Sequence, residues 1–343
     1  MTQRPAPNRP TIYDVADEAG VAISTVSRVL NGSAEVSDAT RSRVRHAIRK
    51  LNFRPQRTAR NLAQGSTTSV AVALPSATSL FFVEMLKGVK DALRERDIDL
   101  LLCNLGSGKP HATLQRFLNR GAVDALLLMG TPIEGEFAEQ LLAFPAPVVL
   151  LGAQAEGLDA YWWNDEDGAY RAVSFLIEQG HRQIGLIASH AWSATSGPRL
   201  VGYKRALAEA DIPFDPALVV SGQTTKHAGY SEEAGAEAMG HLLALENRPT
   251  GVFASSDVQA FGAWAYARDQ GLIIPRDLSI VGYDDIKLSR FLDLTTVSQG
   301  MHRAGLMATE RLLHRIGSTT DERISVELPL TLVERGSTAR AKA

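Results

Sequence analysis

Cysteine is nearly absent from this sequence, and several other features are missing altogether. The 343 residues include one cysteine, Cys103, so no intramolecular disulfide can form and no cysteine-rich zinc site can be built. The eight histidines do not recur at metal-ligand spacing. No apolar run approaches the ~18–20 residues of a membrane-spanning helix, and the polar, proline-containing start lacks the apolar segment of a secretory signal. These absences predict a cytoplasmic protein without a metal site or a membrane partner.

Catalytic motifs are missing as well. The nearest approach to a phosphate-binding loop is the run from Gly106 to Pro110. There, Cys103 stands where the motif needs its first glycine, and Pro110 stands where it needs a metal-binding hydroxyl. No dinucleotide-binding glycine pattern follows a strand, and no nucleophile elbow is present. We therefore predict a protein that is not an enzyme, with no catalytic residues and no cofactor.

Charge is distributed unevenly along the chain, although the net charge is only −2. Residues 1–65 carry a net charge of +6, and the remainder of the chain carries −8. The length is sufficient for two or three domains, and 45% hydrophobic residues is ordinary for a well-cored protein. A basic head on an acidic body is typical of a nucleic-acid-binding module joined to a soluble domain. Charge alone leaves a solvated basic helix as the alternative.

Three short helices are predicted within the first fifty residues. Thr11 is a candidate N-cap for the first helix, which Gly20 ends. A second helix is predicted near residues 23–31, with valines and a leucine on one face and serines and an arginine on another. A third begins at Ser37. Two helices joined by a tight turn containing glycine, with a third packed across them, predict a helix-turn-helix domain.

From residue 69 the pattern changes to an alternation of strands and helices. The predicted strands are Val70–Leu74, Asp99–Cys103, Ala125–Met129, Val148–Leu151, Tyr161–Trp163, Ile184–Ala188, Ala217–Val220, Gly251–Ala254 and Leu278–Gly282. Amphipathic helices lie between most of them. Continuous apolar strands with helical crossovers indicate parallel sheets that are covered on both faces. Nine strands exceed one compact sheet, so we predict two lobes, with ligands bound beyond the carboxyl ends of the strands.

Several stretches closely resemble the lactose/galactose repressor family of transcription regulators. In the head they are Thr11–Ala16, Gly20-Val21, Ser24–Asn31, Val36-Ser37, Thr40-Arg41, Leu51–Pro55 and Ala59–Ala63. In the body they are Phe81-Phe82, Asn164–Gly168, Gly180–Ile184, Arg199-Leu200, Gly202-Tyr203, Ser256-Asp257 and Val281–Asp285. The resemblance implies an α/β protein with an N-terminal three-helix helix-turn-helix DNA-binding domain. A two-lobed, periplasmic-binding-protein-like core of doubly wound parallel sheets follows.

The resemblance also implies a division of the chain into segments. Residues 1–10 are expected to form a disordered tail, and residues 11–56 the helix-turn-helix domain. Residues 57–68 are expected to form a hinge helix and linker, and residues 69–335 the two-lobed effector-binding and dimerisation core. Residues 336–343 are expected to be a second disordered tail.

The family places its second helix in the major groove of operator DNA. Arg28 then contacts guanine or clamps a phosphate, Ser24 contacts a base, and Ile23 contacts a thymine methyl or packs against the neighbouring helix. Leu62 matches the family's minor-groove wedge, which requires the hinge helices of two subunits to pair; packing on the head is the alternative. The residues predicted to contact DNA are Thr11, Tyr13, Ile23, Ser24, Thr25, Ser27, Arg28, Asn31, Arg57, Ala59 and Leu62.

The resemblance implies an effector pocket between the lobes. Arg199 and Asp284 stand at the family's principal polar ligand positions, and Phe82, together with Phe81, is expected to form an apolar wall or simply helix core. The secondary candidates are Thr195 and Ser256, and Asp257 is predicted to N-cap the helix that follows it. A carboxylate and a planar guanidinium suit the hydroxyls of a polyol.

Two departures from the family pattern bear on the ligand. Purine-sensing members of the family have an aromatic residue and a second arginine where this chain has Thr224 and Ser193, so we predict a sugar and disfavour a purine. No leucine heptads follow the core, which makes a homodimer the expected assembly. The combined prediction is a repressor that binds operator DNA under control of a small molecule. A secreted sugar-binding protein would share the body, but it would lack the basic head.

Overall fold

The computed structural model describes residues 10–30, 33, 35–51, 53, 69–106, 108–119, 123–316, 318 and 322–342. The chain divides into two compact units, one up to residue 68 and one from residue 69 onward. Apart from Pro10, the tail predicted at residues 1–10 lies outside the described residues, as does the hinge predicted at residues 57–68.

The first unit contains three short helices, α1 (Ile12–Ala19), α2 (Ile23–Leu30) and α3 (Asp38–Lys50). Thr11 caps α1 in a reciprocal box, because the Thr11 amide donates to the Asp14 carboxylate at 2.6 Å and the Asp14 amide donates back to the Thr11 hydroxyl. Gly20 ends α1 in the left-handed conformation. Apolar side chains from all three helices pack into one core. The predicted helix-turn-helix domain is confirmed.

The second unit consists of two lobes, each built on a six-stranded sheet. The first lobe begins with β1 (Ser69–Leu74), α4 (Leu80–Leu93), β2 (Asp99–Asn104), α5 (Pro110–Leu118), β3 (Ala125–Met129), α6 (Gly135–Leu142), β4 (Val148–Leu151) and β5 (Asp159–Trp162). The second lobe follows with α7 (Asp165–Glu178), β6 (Ile184–Ala188), α8 (Ser196–Glu209), β7 (Val219–Ser221), α9 (Glu232–Leu243), β8 (Gly251–Ala254), α10 (Asp257–Asp269), β9 (Ser279–Asp284), α11 (Lys287–Phe291) and β10 (Thr295–Ser298). The chain then returns to the first lobe with α12 (Met301–Arg315) and β11 (Ser325–Glu327), and to the second with β12 (Thr331–Val333).

The sheet topology explains why the apolar strands are continuous in sequence. The strand order is β11-β5-β4-β3-β1-β2 in the first lobe and β12-β10-β9-β8-β6-β7 in the second. Every pairing is parallel except that of β12 with β10. Strands β1, β3, β4, β6, β8 and β9 are buried almost throughout, since helices cover both faces of each sheet. The predicted two-lobed, doubly wound core is confirmed.

The chain crosses between the lobes three times, after β5, after β10 and after β11. Two of these crossings are joined by a hydrogen bond, because the Trp163 indole donates to the Gln299 carbonyl at 2.9 Å. The third is tied to the first by the Leu328 amide, which donates to the Trp162 carbonyl at 2.7 Å. Hydrogen bonds therefore link the three crossing segments to one another.

The prediction of a disordered tail from residue 336 is wrong for the residues that the structure describes. Ser337 is fully buried; its hydroxyl donates to the Ile280 carbonyl at 2.6 Å and accepts from the Thr295 amide at 2.8 Å. Further on, the Ala341 amide donates to the Gln179 carbonyl at 2.8 Å. Ser337 and Ala341 thus satisfy backbone groups of the second lobe, so the core extends as far as residue 341.

Candidate functional site

The exposed face of α2 carries the three residues predicted to read bases. Ile23, at 41% exposure, projects into solvent with Ser24 and Arg28, whereas Val26 and Val29 are buried. In the structure Ile23 is therefore exposed, and it is not buried against the neighbouring helix as the alternative required. The side chains at the helix N-terminus and one turn later share a face, which is the arrangement needed to enter a major groove.

The other residues predicted to contact DNA are more varied. Tyr13 is exposed on α1, and Thr11 is exposed although its hydroxyl already caps that helix. Thr25 and Ser27 are half-buried on α2. The remaining four, Asn31, Arg57, Ala59 and Leu62, lie outside the described residues.

The candidate effector site begins with Arg199, on the first turn of α8. Gly202 lets α8 approach the start of α7, because a Cβ there would collide with the Glu166 carbonyl. This approach brings the guanidinium, only 4% exposed, onto Asp165: Nε and Nη2 both donate to Oδ1, at 2.9 and 2.7 Å. Nη1 donates to the Ser255 carbonyl. Arg199 is thus already held by an acid and a carbonyl, and two of its five N–H groups are left for a ligand.

The surroundings of Arg199 keep its charge in place. Its guanidinium carbon lies 3.8 Å from the centre of the Tyr283 ring, a cation–π geometry. Burial on its own would lower the pKa of Arg199, but its acidic neighbours, of which Asp165 acts most strongly, together outweigh burial and raise the pKa above its ordinary value. A buried arginine that stays charged is a fixed, pre-oriented donor.

Asp284 ends β9 at the same edge of the sheet. It is 5% exposed and has a φ of 120°, followed by Asp285 at 58°, so two successive non-glycine residues have positive φ. Asp285 is fixed by Arg335, whose Nη2 donates to its carboxylate at 2.6 Å. Burial raises the pKa of Asp284 well above its usual range, and the neighbouring Asp257 raises it further. Backbone outliers and a strongly shifted acid occurring together are typical of functional sites.

Ser256 has a structural role as a helix cap. It is the N-cap of α10, and its hydroxyl accepts a hydrogen bond from the Gln259 amide at 3.2 Å. The prediction that Asp257 caps this helix is therefore wrong: Asp257 is the first helical residue, one position too late for its side chain to serve as the cap. As a candidate effector ligand, Ser256 is buried with its oxygen committed to the cap.

Asp257 instead joins α10 to the segments around α11 and β10. Its carboxylate accepts hydrogen bonds from the Ile286 amide at 2.9 Å, the Ser289 hydroxyl at 2.6 Å and the Thr296 hydroxyl at 2.5 Å. Burial raises the pKa of Asp257 to about 7 in spite of these donors. These three donors favour the charged form of Asp257 and partly offset its burial, whereas the pKa of Asp284 stays well above its usual range.

A cluster of hydroxyls adjoins Arg199. The Ser189 hydroxyl donates to the Tyr230 hydroxyl at 2.9 Å, and the Ser193 and Thr195 hydroxyls also contact it. The Arg199 guanidinium lies 5.8 Å from the Tyr230 ring centre. Tyr230 was not predicted from the sequence, because it is 35 residues away from Thr195 and belongs to no recognised motif.

The first lobe contributes aromatic side chains from the start of α4. Phe82 is buried and packs beneath Gly130, where a Cβ would lie 2.8 Å from its ring. Phe81 is only half-buried, and its ring stands 5.1 Å from that of Phe82 and 6.3 Å from that of Trp163. Phe82 is therefore mainly helix core, which leaves Phe81 as the more accessible apolar wall.

Gln299 is a further residue that the sequence analysis missed. It is 3% exposed, and its Oε1 has no hydrogen-bond partner within the part of the chain that the structure describes. Its backbone carbonyl is held by Trp163, which in turn lies beside Phe81. A buried, unsatisfied acceptor is costly without a partner, which marks Gln299 as a candidate ligand contact.

The strand order brings most of these residues together. Arg199 and Thr195 follow β6, Ser256 follows β8 and Asp284 ends β9, and these three strands are neighbours in the second sheet. Their carboxyl ends are where parallel α/β sheets bind ligands. On the first-lobe side, Phe82 belongs to the same apolar cluster as Ile286, two residues beyond Asp284. Neither a metal-binding group of three or more side chains nor a membrane-spanning helix occurs among the described residues.

Comparisons with known proteins agree with this arrangement. The family described as "Bacterial regulatory proteins, lacI family" matches residues 11–56, and "Periplasmic binding protein-like domain" matches residues 173–338. The HTH-type transcriptional repressor PurR of Vibrio atlanticus (strain LGP32) is 34% identical, covering 95% of this chain and 98% of the relative. Catabolite control protein A of Priestia megaterium is 33% identical, covering 96% and 99%.

Two solved structures extend the comparison. A lac repressor dimer bound to operator and the anti-inducer ONPF matches with a TM-score of 0.75 and 27% identity, covering 97% of this chain and all of that chain. A complex of the transcriptional regulator CelR with cellobiose matches with a TM-score of 0.69 and 31% identity, covering 96% of this chain and all of that chain.

Proposed function

The chain belongs to the lacI family of bacterial regulatory proteins, and we propose that it is a repressor whose binding to operator DNA is controlled by a sugar or related polyol. The observation that carries the choice of ligand is the density of hydroxyl and carboxyl groups around Arg199. Asp284, Thr195 and the Tyr230 cluster all lie at the carboxyl ends of the second sheet or beside them. Convergent polar groups on a pre-formed site are what fixes the orientation of a small ligand.

The protonation state of the site suits a ligand rich in hydroxyls. We propose that Asp284, whose pKa is raised by burial and by Asp257, binds the ligand in its protonated form, so that its carboxyl group can donate one hydrogen bond and accept others. Arg199 adds donors only, and the unpartnered Oε1 of Gln299 adds an acceptor. A sugar hydroxyl both donates and accepts, so it can complement each of these groups.

Operator binding rests on the head. The exposed Ile23, Ser24 and Arg28 of α2, together with the net charge of +6 on residues 1–65, support insertion of this helix into a major groove. We propose that Leu62 acts as a minor-groove wedge and that two subunits bind a pseudo-palindromic site. The match to the operator-bound lac repressor dimer supports this assembly.

A selection of bound fragments from genomic DNA, followed by footprinting at several salt concentrations, tests the DNA-binding proposal. Affinity should fall steeply with salt, because bound phosphates release counterions. Arg28→Ala should weaken binding to the selected site more than to random DNA, whereas Arg268→Ala, an exposed arginine of α10, should change neither. Tight binding without a protected sequence would overturn the proposal.

The ligand class is tested by titration calorimetry of the full-length protein with monosaccharides, disaccharides, hypoxanthine and guanine. The PurR relatives favour a purine as the second candidate. The residues at 193 and 224 argue against it, since neither an arginine nor an aromatic side chain stands there. Binding of a saccharide is the expected result. Binding of a purine base without any saccharide would overturn the sugar assignment and leave the repressor assignment intact.

A further inference from the structure

Trp192 is the most exposed of the four tryptophans, at 55% exposure, and it lies beside the proposed effector site. It belongs to the loop between β6 and α8, which also contains Ser193 and Thr195 of the hydroxyl cluster. The Ser193 amide donates to the His190 carbonyl at 2.9 Å, so the loop closes as a tight turn. A large aromatic ring is thus held next to polar groups instead of being buried.

His190 supports the tryptophan ring from one side. The two rings are nearly parallel, with an interplanar angle of 10° and a centroid separation of 5.6 Å. The imidazole is itself fixed, because its Nε2 lies 2.8 Å from the Thr224 carbonyl and its backbone amide donates to the Ala228 carbonyl at 3.1 Å. A stacked and anchored aromatic ring gives contact area with little loss of conformational entropy on binding.

The segment that anchors His190 adopts an uncommon backbone conformation. His227 and Ala228 both have positive φ, at 50° and 60°. Gly229 follows at 89°, and a Cβ there would lie 3.3 Å from the His190 ring. Tyr230, the centre of the hydroxyl cluster, comes next. The same four-residue stretch, His227–Tyr230, therefore positions the aromatic pair and the hydroxyl cluster together.

We propose that Trp192, backed by His190, is a stacking surface for the second ring of a disaccharide or glycoside effector. This inference rests on the proposed sugar specificity and narrows it to ligands with two rings. The first ring would lie against the buried Arg199 and Asp284 and against the hydroxyl cluster, most of which is half-buried. The second would extend along the loop to the rim, where its apolar C–H face packs on the indole.

The test compares disaccharides with their component monosaccharides: cellobiose and maltose with glucose, and lactose with galactose and glucose. Titrations use the full-length protein and its Trp192→Ala, Trp192→Phe and Trp162→Phe variants. For the best disaccharide, Trp192→Ala should lower the affinity about tenfold, on the scale of an aromatic contact, and Trp192→Phe should lower it much less. The affinity for the monosaccharide should be unchanged in both, and Trp162→Phe, in the first lobe, should leave both affinities as they are.

The outcomes separate this inference from the proposed function. Unchanged disaccharide affinity in Trp192→Ala, or an equal loss for both sugars, would overturn the stacking surface while leaving a sugar site in place. Wild-type protein that binds monosaccharides and no disaccharide would do the same. Wild-type protein that binds no saccharide would overturn both. Thermal unfolding of each variant confirms that the loop substitution leaves the second lobe folded.

Discussion

Each lobe buries a carboxyl group near a strand end, but the two lobes differ in the partners that they give it. In the first lobe the carboxyl group is paired with arginines, and in the second it has no such pair among the described residues. In the first lobe Asp159, 1% exposed, accepts from Arg311 Nε and Nη2 at 3.0 and 2.7 Å and from the Ile324 amide at 3.0 Å, with Arg315 Nε 3.5 Å away. In the second lobe Asp284 and Asp257 lie together, and the nearby Arg199 is already paired with Asp165.

The difference separates Asp159, an acid with a structural role, from Asp284, an acid that we propose binds a ligand. Asp159 is neutralised by cations on α12 and tied to the segment before β11, so it fastens three elements of one lobe. No ion pair holds Asp284 among the described residues, since the nearby Arg199 is paired with Asp165, and its positive φ persists because the surrounding fold enforces it. A buried carboxyl group that is paired with cations stabilises the fold, whereas one without an ion pair is available to a ligand.

The largest expected effect is that of Asp159→Asn on stability. The substitution leaves Arg311 and Arg315 poorly compensated in a largely buried site, and breaking such a pair costs about 3–5 kcal/mol. Urea unfolding should show the loss with or without effector. Asp269→Asn, at an exposed carboxylate paired with the exposed Arg268, is the matched control and should unfold close to wild type. Similar unfolding of both variants would remove the distinction drawn between the two lobes.

The next largest effect is expected for Asp284→Ala on effector affinity. Removing the carboxyl leaves the ligand hydroxyls that it would bind without a partner in a desolvated site, which costs roughly 2–5 kcal/mol of binding free energy. Operator affinity without effector should stay near wild type, because the head is untouched. Calorimetry and footprinting measure the two quantities. A variant with unchanged affinity for the effector would show that Asp284 is not in the site.

The same two acids, Asp284 and Asp257, are expected to make the protein less stable as the pH rises, which is the opposite of ordinary acid denaturation. The pKa values of Asp284 and Asp257 are raised on folding, to about 7 for Asp257, so the folded chain binds more protons than the unfolded chain above pH ~4. The pair's contribution to stability is present below that pH and is lost as pH rises toward 7. Each bound proton contributes a slope of up to about 1.4 kcal/mol per pH unit.

Thermal unfolding between pH 5 and pH 8 measures this slope. Asp284→Asn removes the titrating proton while preserving the shape of the side chain, so its stability should depend less on pH than that of the wild type. Its stability relative to wild type should therefore increase toward pH 8. Parallel curves for the two proteins would mean that Asp284 is ionised in the folded state.

The smallest expected effect is that of Tyr230→Phe. It deletes one hydroxyl from a cluster whose other members, Ser189, Ser193 and Thr195, can still hydrogen-bond with ligand or water. Effector affinity should fall by about 0.5–1.5 kcal/mol, the usual net value of one hydrogen bond. Tyr266→Phe, on the far part of α10, is the control and should not change the affinity. A loss as large as that of Asp284→Ala would instead indicate collapse of the loop.

The parts of the fold that could be predicted from sequence are those with long apolar periodicity. Strands such as β3 and β4 are uninterrupted apolar runs, and α1 and α3 of the head begin after capping residues. Strands β10, β11 and β12 were missed because they are only three or four residues long, and β10 and β11 are also rich in polar side chains. The tail after residue 335 was misjudged since only tertiary hydrogen bonds hold it.

The sequence predicted which residues belong to the candidate site, but it did not predict which residues they contact. Family resemblance located Arg199 and Asp284, but the pairing of Arg199 with Asp165 spans 34 residues and that of Asp257 with Thr296 spans 39. No periodic pattern encodes contacts of that separation. The stacking of Trp192 on His190 is local, yet two aromatic residues two positions apart do not by themselves indicate a supported surface.

Strands β11 and β12 also determine when each lobe can be completed during translation. The first sheet receives β11 beside β5 and the second receives β12 beside β10, so the first remains short of a strand until residue 327 has been synthesised and the second until residue 333. The core of α1, α2 and α3, in contrast, closes within residues 11–51. Because domains fold as units and the N-terminal one folds first, the nascent chain carries a folded DNA-binding head while both sheets of its effector lobes are still unfinished.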